Sequence, residues 1–308
     1  MCNFSFGWEV SLIKGLQSLF SSPLAVKVFS ILSAFGEELA CISILGLFYW
    51  GFNKKMGKML GLNLAVANVW NPMIKNVALR LRPYFNHSDI KILKPVDAKA
   101  DIKDVAAQGY SFPSGHSTNA AVTFGSLALK APKKLWRVLL WIAPLLVGIS
   151  RFVLGAHYPT DVLGGWLLGI IILFLVPFLQ KKIKNEFVFF GILLLSGVPG
   201  FFYCNSNDFY TGYGILIGAS ASFIFEERFV KFNNTNNIIR ALVRTAVGGG
   251  LFMLLNTVLK LPFSKELLTS GTTLAFLVRT LRYGITIFFV CGIYPLVFKP
   301  ADRLWRRQ

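Results

Sequence analysis

Residues 150–180 read SRFVLGAHYPTDVLGGWLLGIIILFLVPFLQ. From Val162 to Gln180 no side chain carries a charge, a run matching the ~20 apolar residues that a helix needs to cross a bilayer. Just before it stand Arg151, His157 and Asp161. A charged side chain at the bilayer centre costs roughly 2.5–3.5 kcal/mol on insertion scales. The stretch therefore places a helix end at the membrane surface, with its polar residues gathered at that level.

The rest of the chain agrees with a membrane solvent. Of 308 residues 54% are hydrophobic and only 15% charged, against about 25% charged in soluble domains, and the mean hydropathy is +0.57. The expected fold class is all-α, a polytopic transmembrane helical bundle. Hydropathy marks about nine spans, near 25–51, 56–80, 114–131, 135–153, 160–180, 187–203, 209–225, 240–259 and 279–298. Residues 8–21 predict a short interfacial helix, with Trp8, Val10, Leu12, Ile13, Leu16 and Leu19 opposed to Glu9, Lys14 and Gln17. No cleavable leader is expected, because MCNFSFGWEVSLIKGLQSLF lacks a basic stretch followed by a clean apolar core.

The net charge of +18 points to cytoplasmic loops and anionic headgroups, not to nucleic acid, for which no soluble basic domain exists. One side of the membrane collects Lys54, Lys55 and Lys58, then Lys130, Lys133, Lys134 and Arg137, and Lys181, Lys182 and Lys184. Arg228, Lys231, Arg240, Arg244 and the tail KPADRLWRRQ follow on the same side. The positive-inside rule makes that side cytoplasmic, with the amino terminus outside and the carboxyl terminus inside. Loop 83–113 then lies outside, and its Asp and Lys residues read as an ordinary solvated loop. Cys2, Cys41, Cys204 and Cys291 lack disulfide or metal-ligand spacing, and Cys41 and Cys291 read as small packing residues.

Three polar segments meet on the outer side: KNVALRLRP (75–83), SFPSGHST (111–118) and residues 150–161. Lys75 and Arg82, seven apart, are expected two turns apart on one helix face. With Arg151 they make a cluster of cations that would repel one another without an anion between them. Ser114 and Gly115 open a helix whose free N–H groups and dipole favour a phosphate, and glycine lets the backbone approach. His157 and Asp161, four apart around Pro159, suit a carboxylate that fixes an imidazole tautomer and leaves the other nitrogen nucleophilic. His116 can protonate a leaving oxygen and then activate water.

Together, K-x6-RP (Lys75 to Pro83), PSGH (Pro113 to His116) and SR-x5-H-x3-D (Ser150 to Asp161) resemble the three-part signature of the type 2 phosphatidic acid phosphatase family. These are integral-membrane lipid phosphatases sharing a core with glucose-6-phosphatase and the vanadium haloperoxidases. The resemblance covers roughly residues 25–180. It implies that His157 forms a phosphohistidine with Asp161 in support, and that His116 is the general acid. It further implies that Lys75, Arg82, Ser114, Gly115 and Arg151 bind phosphate, with no cofactor and no metal. The substrate implied is a lipid phosphate or diphosphate such as an isoprenoid diphosphate, phosphatidic acid or phosphatidylglycerophosphate. Its site would face outward from a bacterial inner membrane. Alternatives are a phosphotransferase, a soluble-ester phosphatase like glucose-6-phosphatase, and a non-enzymatic lipid transporter.

Residues outside the signature have plainer expectations. Arg80 and His87 read as surface or headgroup contacts. Glu37 and Glu38, half-way along the first span, either line a substrate cavity or clamp Asn63, Asn68 or Asn71. The expected organisation is an interfacial helix (1–22), a phosphatase core (23–180) and additional helices of unassigned role (181–308). In the last part YGILIGASAS and VGGG read as helix-packing faces, one of them a homodimer contact.

Overall fold

A computed structural model describes residues 4–300; Cys2 and the tail 301–308 lie outside the described residues. Every element described is helical. In chain order these are α1 (Gly7–Leu19), α2 (Pro23–Ala34), α3 (Glu38–Gly46, prolonged by a π-helical turn, Leu47–Phe52) and α4 (Lys54–Ala78). The short α5 (Pro83–Asn86) and α6 (Val105–Gln108) precede α7 (Gly115–Lys130), α8 (Lys134–Val153) and α9 (Pro159–Lys182). Then come α10 (Glu186–Gly197), α11 (Asn207–Phe225), α12 (Ile238–Val258), α13 (Lys265–Thr269) and α14 (Thr273–Phe288).

Among the described residues four helical stretches are long and apolar enough to cross a membrane: α8, α9, α12 and Thr273–Pro300. The pair Pro23–Ala34 and Glu38–Phe52, bent by 47°, makes a fifth if it is one broken span. The other expected spans also fall on helices but do not meet the same measure. α7 and α10 have only 16 and 12 residues, and α4 is polar, carrying Asn63, Asn68, Asn71 and Asn76.

The chain forms two compact units. The first comprises residues 4–41 and 70–175, the second 42–69 and 176–300. In the first, α7, α2 and α1 all pack on α8. α9 approaches α7 closely because Gly165 and Gly169 face it. A Cβ on Gly165 would lie 2.6 Å from the Ser114 carbonyl oxygen, and one on Gly169 would lie 2.7 Å from Ala121 Cβ. Small residues at such crossings let helices gain van der Waals contact and backbone proximity where lipid supplies no hydrophobic drive.

Helix α1 does not divide into the two faces its periodicity predicts. Glu9, Ile13 and Gln17, spaced four apart, form the face that packs inward. Ile13 joins Ile90 and Tyr158 in a buried cluster with Val10 and Phe152 around it; full burial of such a side chain contributes about 1.5–3 kcal/mol. Gln17 Nε2 donates to the Lys91 and Val153 carbonyls (2.7 and 3.2 Å), and Lys91 N–H donates back to Oε1 (3.1 Å). Trp8, Leu12 and Leu19 remain exposed. Glu9 and Gln17 turn inward because their partners are polar too, while Lys14 stays exposed, a division that periodicity alone does not carry.

In the second unit α11 lies along α14. A Cβ on Gly214 or Gly218 would come within 2.4 Å of the Thr280 or Gly284 carbonyl, so the YGILIGASAS face is occupied inside the chain. In VGGG, Gly248 packs on Trp50, while Gly249 and Gly250 have nothing within 4 Å. Buried Glu226 forms ion pairs with Lys54 and Lys58 at 2.7 Å each, which neutralises part of the basic side. Cys41 and Cys204 are buried and free, as expected of packing residues for the first.

Candidate active site

All the candidate chemistry lies in the first unit, and local structure explains how each piece gets there. α4 carries Lys75 in its last turn and ends at Ala78. Leu79 follows with φ +47°, a left-handed conformation costing a non-glycine residue roughly 1–2 kcal/mol. It reverses the chain, so Arg80 and Arg82 leave the helix altogether. Lys75 and Arg82 therefore do not share a helix face as their spacing suggested; Arg82 instead precedes α5, whose first residue is Pro83. Their side chains converge from a helix end and an extended segment.

Loop 87–113 is less casual than its solvated composition implied. Gln108, only 1% exposed, accepts from the Val96 and Asp97 N–H groups (3.0 and 3.3 Å) and donates to the Asp97 and Asp101 carbonyls (2.8 and 3.3 Å). Arg82 Nε donates to the Gln108 and Gly109 carbonyls (2.9 and 3.0 Å), binding the loop to the site. Lys75 Nζ donates to the Tyr110 carbonyl at 2.7 Å. Ser114 then caps α7, its Oγ receiving a hydrogen bond from Ser117 Oγ (2.9 Å), while its N–H donates to the Asp161 carbonyl (2.9 Å). A Cβ on Gly115 would meet nothing nearer than Asn71 Oδ1 at 3.8 Å, so packing within the protein does not require glycine there. Close approach of a ligand to the backbone would.

Ser150 and Arg151 lie in the closing turn of α8, which ends at Val153. Arg151 is 2% exposed; its Nη1 donates to Ser33 Oγ (2.5 Å), and its Nε meets no acceptor among the described residues. A tight turn follows, with Gly155 at φ +73° and the Lys91 carbonyl 2.3 Å from where its Cβ would be. This turn delivers His157. Arg82 Nη1 lies 3.1 Å from His157 Nε2; a guanidinium only donates, so Nε2 is the acceptor and the imidazole proton sits on Nδ1. Burial first, then the Arg82, Lys75 and Arg151 cations, hold His157 well below the ordinary histidine range. The ring is neutral, and its Nε2 lone pair points at Arg82.

On the other edge, Nδ1 is 3.4 Å from Ser111 Oγ and 3.6 Å from Asp161 Oδ2. The second distance exceeds a hydrogen bond, so Asp161 does not grip the imidazole directly as sequence spacing suggested. Ser111 Oγ donates to Asp161 Oδ2 at 2.5 Å and lies beside it, so that hydroxyl and carboxylate flank Nδ1 at similar distances. Asp161 Oδ2 also accepts from Tyr158 N–H (2.7 Å), and Oδ1 from Arg80 Nη1 (2.7 Å). His116, in the first turn of α7, lies within electrostatic range of Arg151, His157, Arg82 and Lys94.

One expectation outside the signature changes. Arg80 is not a surface contact: it is 5% exposed and paired with Glu9 and Asp161 at 2.7 Å each. Glu37 pairs with Lys94 of the loop at 2.5 Å, whereas Asn71 donates to Thr118 Oγ1 (3.0 Å) and the Pro113 carbonyl (3.4 Å). His87 is half-buried, near Ser5 Oγ (3.2 Å) and edge-on to Tyr158. Glu9, Ser33, Arg80 and Ser111 escaped sequence reasoning because none belongs to a spaced pattern; only the alternation Arg80-x-Arg82, which suits extended backbone, hinted at Arg80. Among the described residues no cluster of three or more His, Cys, Asp or Glu gathers as a metal site.

The structure thus defines a helical membrane protein with a neutral buried histidine facing three cations at a helix end. A profile of the PAP2 superfamily matches residues 57–184, and one for the transmembrane extension of PAP2 superfamily phosphatases matches residues 210–303. Phosphatidylglycerophosphatase B of Bacillus subtilis (strain 168) is 42% identical over 90 residues, 26% of this chain and 44% of that protein. Undecaprenyl-diphosphatase of Sulfolobus acidocaldarius is 33% identical over 145 residues, 47% of this chain and 65% of the relative. Lipid A 1-phosphatase of Rhizobium etli is 30% identical over 168 residues, 48% and 68% respectively. The chain therefore spans less than two thirds of the length of the first two. A crystal structure of a transmembrane PAP2 type phosphatidylglycerolphosphate phosphatase from Bacillus subtilis is 29% identical, covering 58% of this chain and 90% of that one, with a TM-score of 0.44. The chain belongs to the PAP2 superfamily.

Proposed function

We propose that this protein hydrolyses a lipid phosphate or diphosphate through a phosphohistidine, without metal. The observation carrying the proposal is the neutral His157 whose Nε2 accepts from Arg82 and whose surroundings hold Lys75 and Arg151. Nε2 attacks phosphorus, and the N–P bond forms as the bond to the leaving oxygen breaks. Lys75, Arg82, Arg151 and the α7 N-terminus at Ser114 and Gly115 bind the phosphoryl oxygens and stabilise their transition-state charge. His116 protonates the leaving oxygen, then takes a proton from the water that cleaves the N–P bond. Ser111 and Asp161, side by side at the Nδ1 edge, keep Nδ1 protonated, and Asp161 offsets the positive charge that develops on the ring.

The relatives' substrates, phosphatidylglycerophosphate, undecaprenyl diphosphate and lipid A, supply the candidates. The basic alternation supports nine spans, an outward-facing site in a bacterial inner membrane, and a core of 23–180 preceded by an interfacial helix (1–22) and followed by further helices (181–308). Gly249 and Gly250 on α12 are the faces left for a homodimer. The test is phosphate release by the purified protein from these lipids, phosphatidic acid and glucose 6-phosphate, with chelator present. Release abolished by His157→Ala and by His116→Ala supports the mechanism. Product appearing only with an acceptor alcohol favours transfer instead, and no phosphorus chemistry at all favours transport.

A further inference from the structure

The reaction proposed above uses His157, His116 and Asp161 directly, yet behind Asp161 stands a buried network that it leaves unexplained. Arg80 commits its guanidinium on every side. Nη1 donates to Asp161 Oδ1 and Thr160 Oγ1, both at 2.7 Å, Nη2 to Glu9 Oε2 at 2.7 Å, and Nε to the Phe4 carbonyl at 3.0 Å. The Tyr158 ring lies 4.2 Å from its Cζ. Glu9 is 0% exposed. Its Oε1 accepts from the Thr160 N–H (3.0 Å) and hydroxyl (2.5 Å), and its Oε2 from the Phe6 N–H (3.0 Å) as well as Arg80.

We infer that Glu9 and Arg80 are positioning residues for catalysis: the amino-terminal helix α1 supplies Glu9 to fix Arg80, and Arg80 fixes the Asp161 carboxylate behind His157. This rests on the phosphohistidine reading. Two physical arguments carry it. The first is geometric: Asp161 is too far from Nδ1 to be oriented by the imidazole. Its rotamer is set by Arg80 at Oδ1 and by Ser111 and Tyr158 at Oδ2, which keeps Oδ2 turned toward the ring. The second is charge. A buried Arg80–Asp161 pair alone would be neutral, and its carboxylate could do little for a ring turning cationic. With Glu9 added, two carboxylates share one guanidinium and leave one net negative charge beside His157. That charge favours the state in which Nε2 has bonded to phosphorus while Nδ1 keeps its proton. Arg82 meets the ring at Nε2, the edge away from Asp161, so the network acts on the chemical step and not on the Arg82 end of the phosphate site.

The experiment compares full-length Glu9→Gln, Arg80→Lys and the double variant with wild type in detergent. It measures kcat, KM and inhibition by orthophosphate, alongside thermal melting. Glu9→Gln keeps the shape and removes the charge. Its kcat should fall about 10- to 100-fold, the scale seen when a partner orienting an active-site group is lost, with KM and orthophosphate inhibition unchanged. The double variant should lose no more than Arg80→Lys alone, because the two act as one unit. Glu9→Asp should recover part of the loss. Wild-type kcat in a folded Glu9→Gln overturns the inference, and so does a parallel loss of orthophosphate binding, which would mark a merely structural role. If Glu9→Gln does not fold, Thr160→Val takes its place, since it deletes only the hydroxyl shared by Glu9 and Arg80; a wild-type kcat there is equally fatal. A wild type that releases no phosphate from any substrate overturns the phosphatase reading itself. Release that depends on His157 but not on Glu9 removes this inference alone.

Discussion

The sharpest structural test of the site is Gly165→Ala, one methyl group placed where α9 meets the start of α7. The new Cβ would sit 2.6 Å from the Ser114 carbonyl oxygen and 2.9 Å from Ser117 Cβ. Ordinary contact begins at 3.4 Å, so α9 must withdraw by about 0.8 Å, and backbone atoms on the α7 side cannot rotate away. The Ser114 N–H to Asp161 carbonyl hydrogen bond, 2.9 Å long, joins the same two elements and would stretch beyond useful range. Overpacking of this kind typically costs about 1–3 kcal/mol. Asp161 and His157 enter with α9, while Ser114, Gly115 and His116 belong to α7. A misplacement near 1 Å can cost about 100-fold in rate, so kcat is expected to fall about 10- to 100-fold with a lowered melting temperature. The control is Gly191→Ala, whose Cβ would meet nothing within 4 Å; it should leave kcat unchanged. Full kcat and full stability in Gly165→Ala would refute the claim that this helix contact sets the geometry of the site.

Other expectations follow from the same site. Ser111→Ala removes both a donor to Asp161 and the acceptor for His157 Nδ1, and kcat should drop about tenfold at constant KM; full kcat would mean that Asp161 acts across 3.6 Å without it. Because His157 is held well below the ordinary histidine range, it stays neutral as the medium is acidified through about 6.5. After allowance for substrate titration, kcat/KM should hold its plateau through that value and decline only below it; an acid limb at 6.5 assigned to His157 by NMR titration would contradict the burial argument. Reporter fusions at residues 95 and 183 should report outside and inside respectively, and the reverse would sink the orientation derived from lysine and arginine counting.

The sequence by itself determined the solvent, the helical class and the signature residues. Uncharged runs such as Val162–Gln180 admit no other folded state in a bilayer, and three spaced motifs bring their chemistry with them. What it could not determine was everything that depends on a partner distant in the chain. Periodicity sorted α1 into a wet face and a greasy face, and put Glu9 and Gln17 in water, because it scores each side chain against solvent alone. Glu9 is buried because Arg80, 71 positions away, supplies its counter-charge, and a carboxylate in low dielectric persists only when so paired. The spacing of Lys75 and Arg82 suggested one helix face, since nothing local announces a left-handed leucine; the break at Leu79 exists because tertiary contacts of Arg80 and Arg82 hold it. Ser111 likewise became part of the site only when loop 87–113 closed over α9. Residue type fixes what chemistry is available, while tertiary structure decides which groups are dry enough and near enough to perform it.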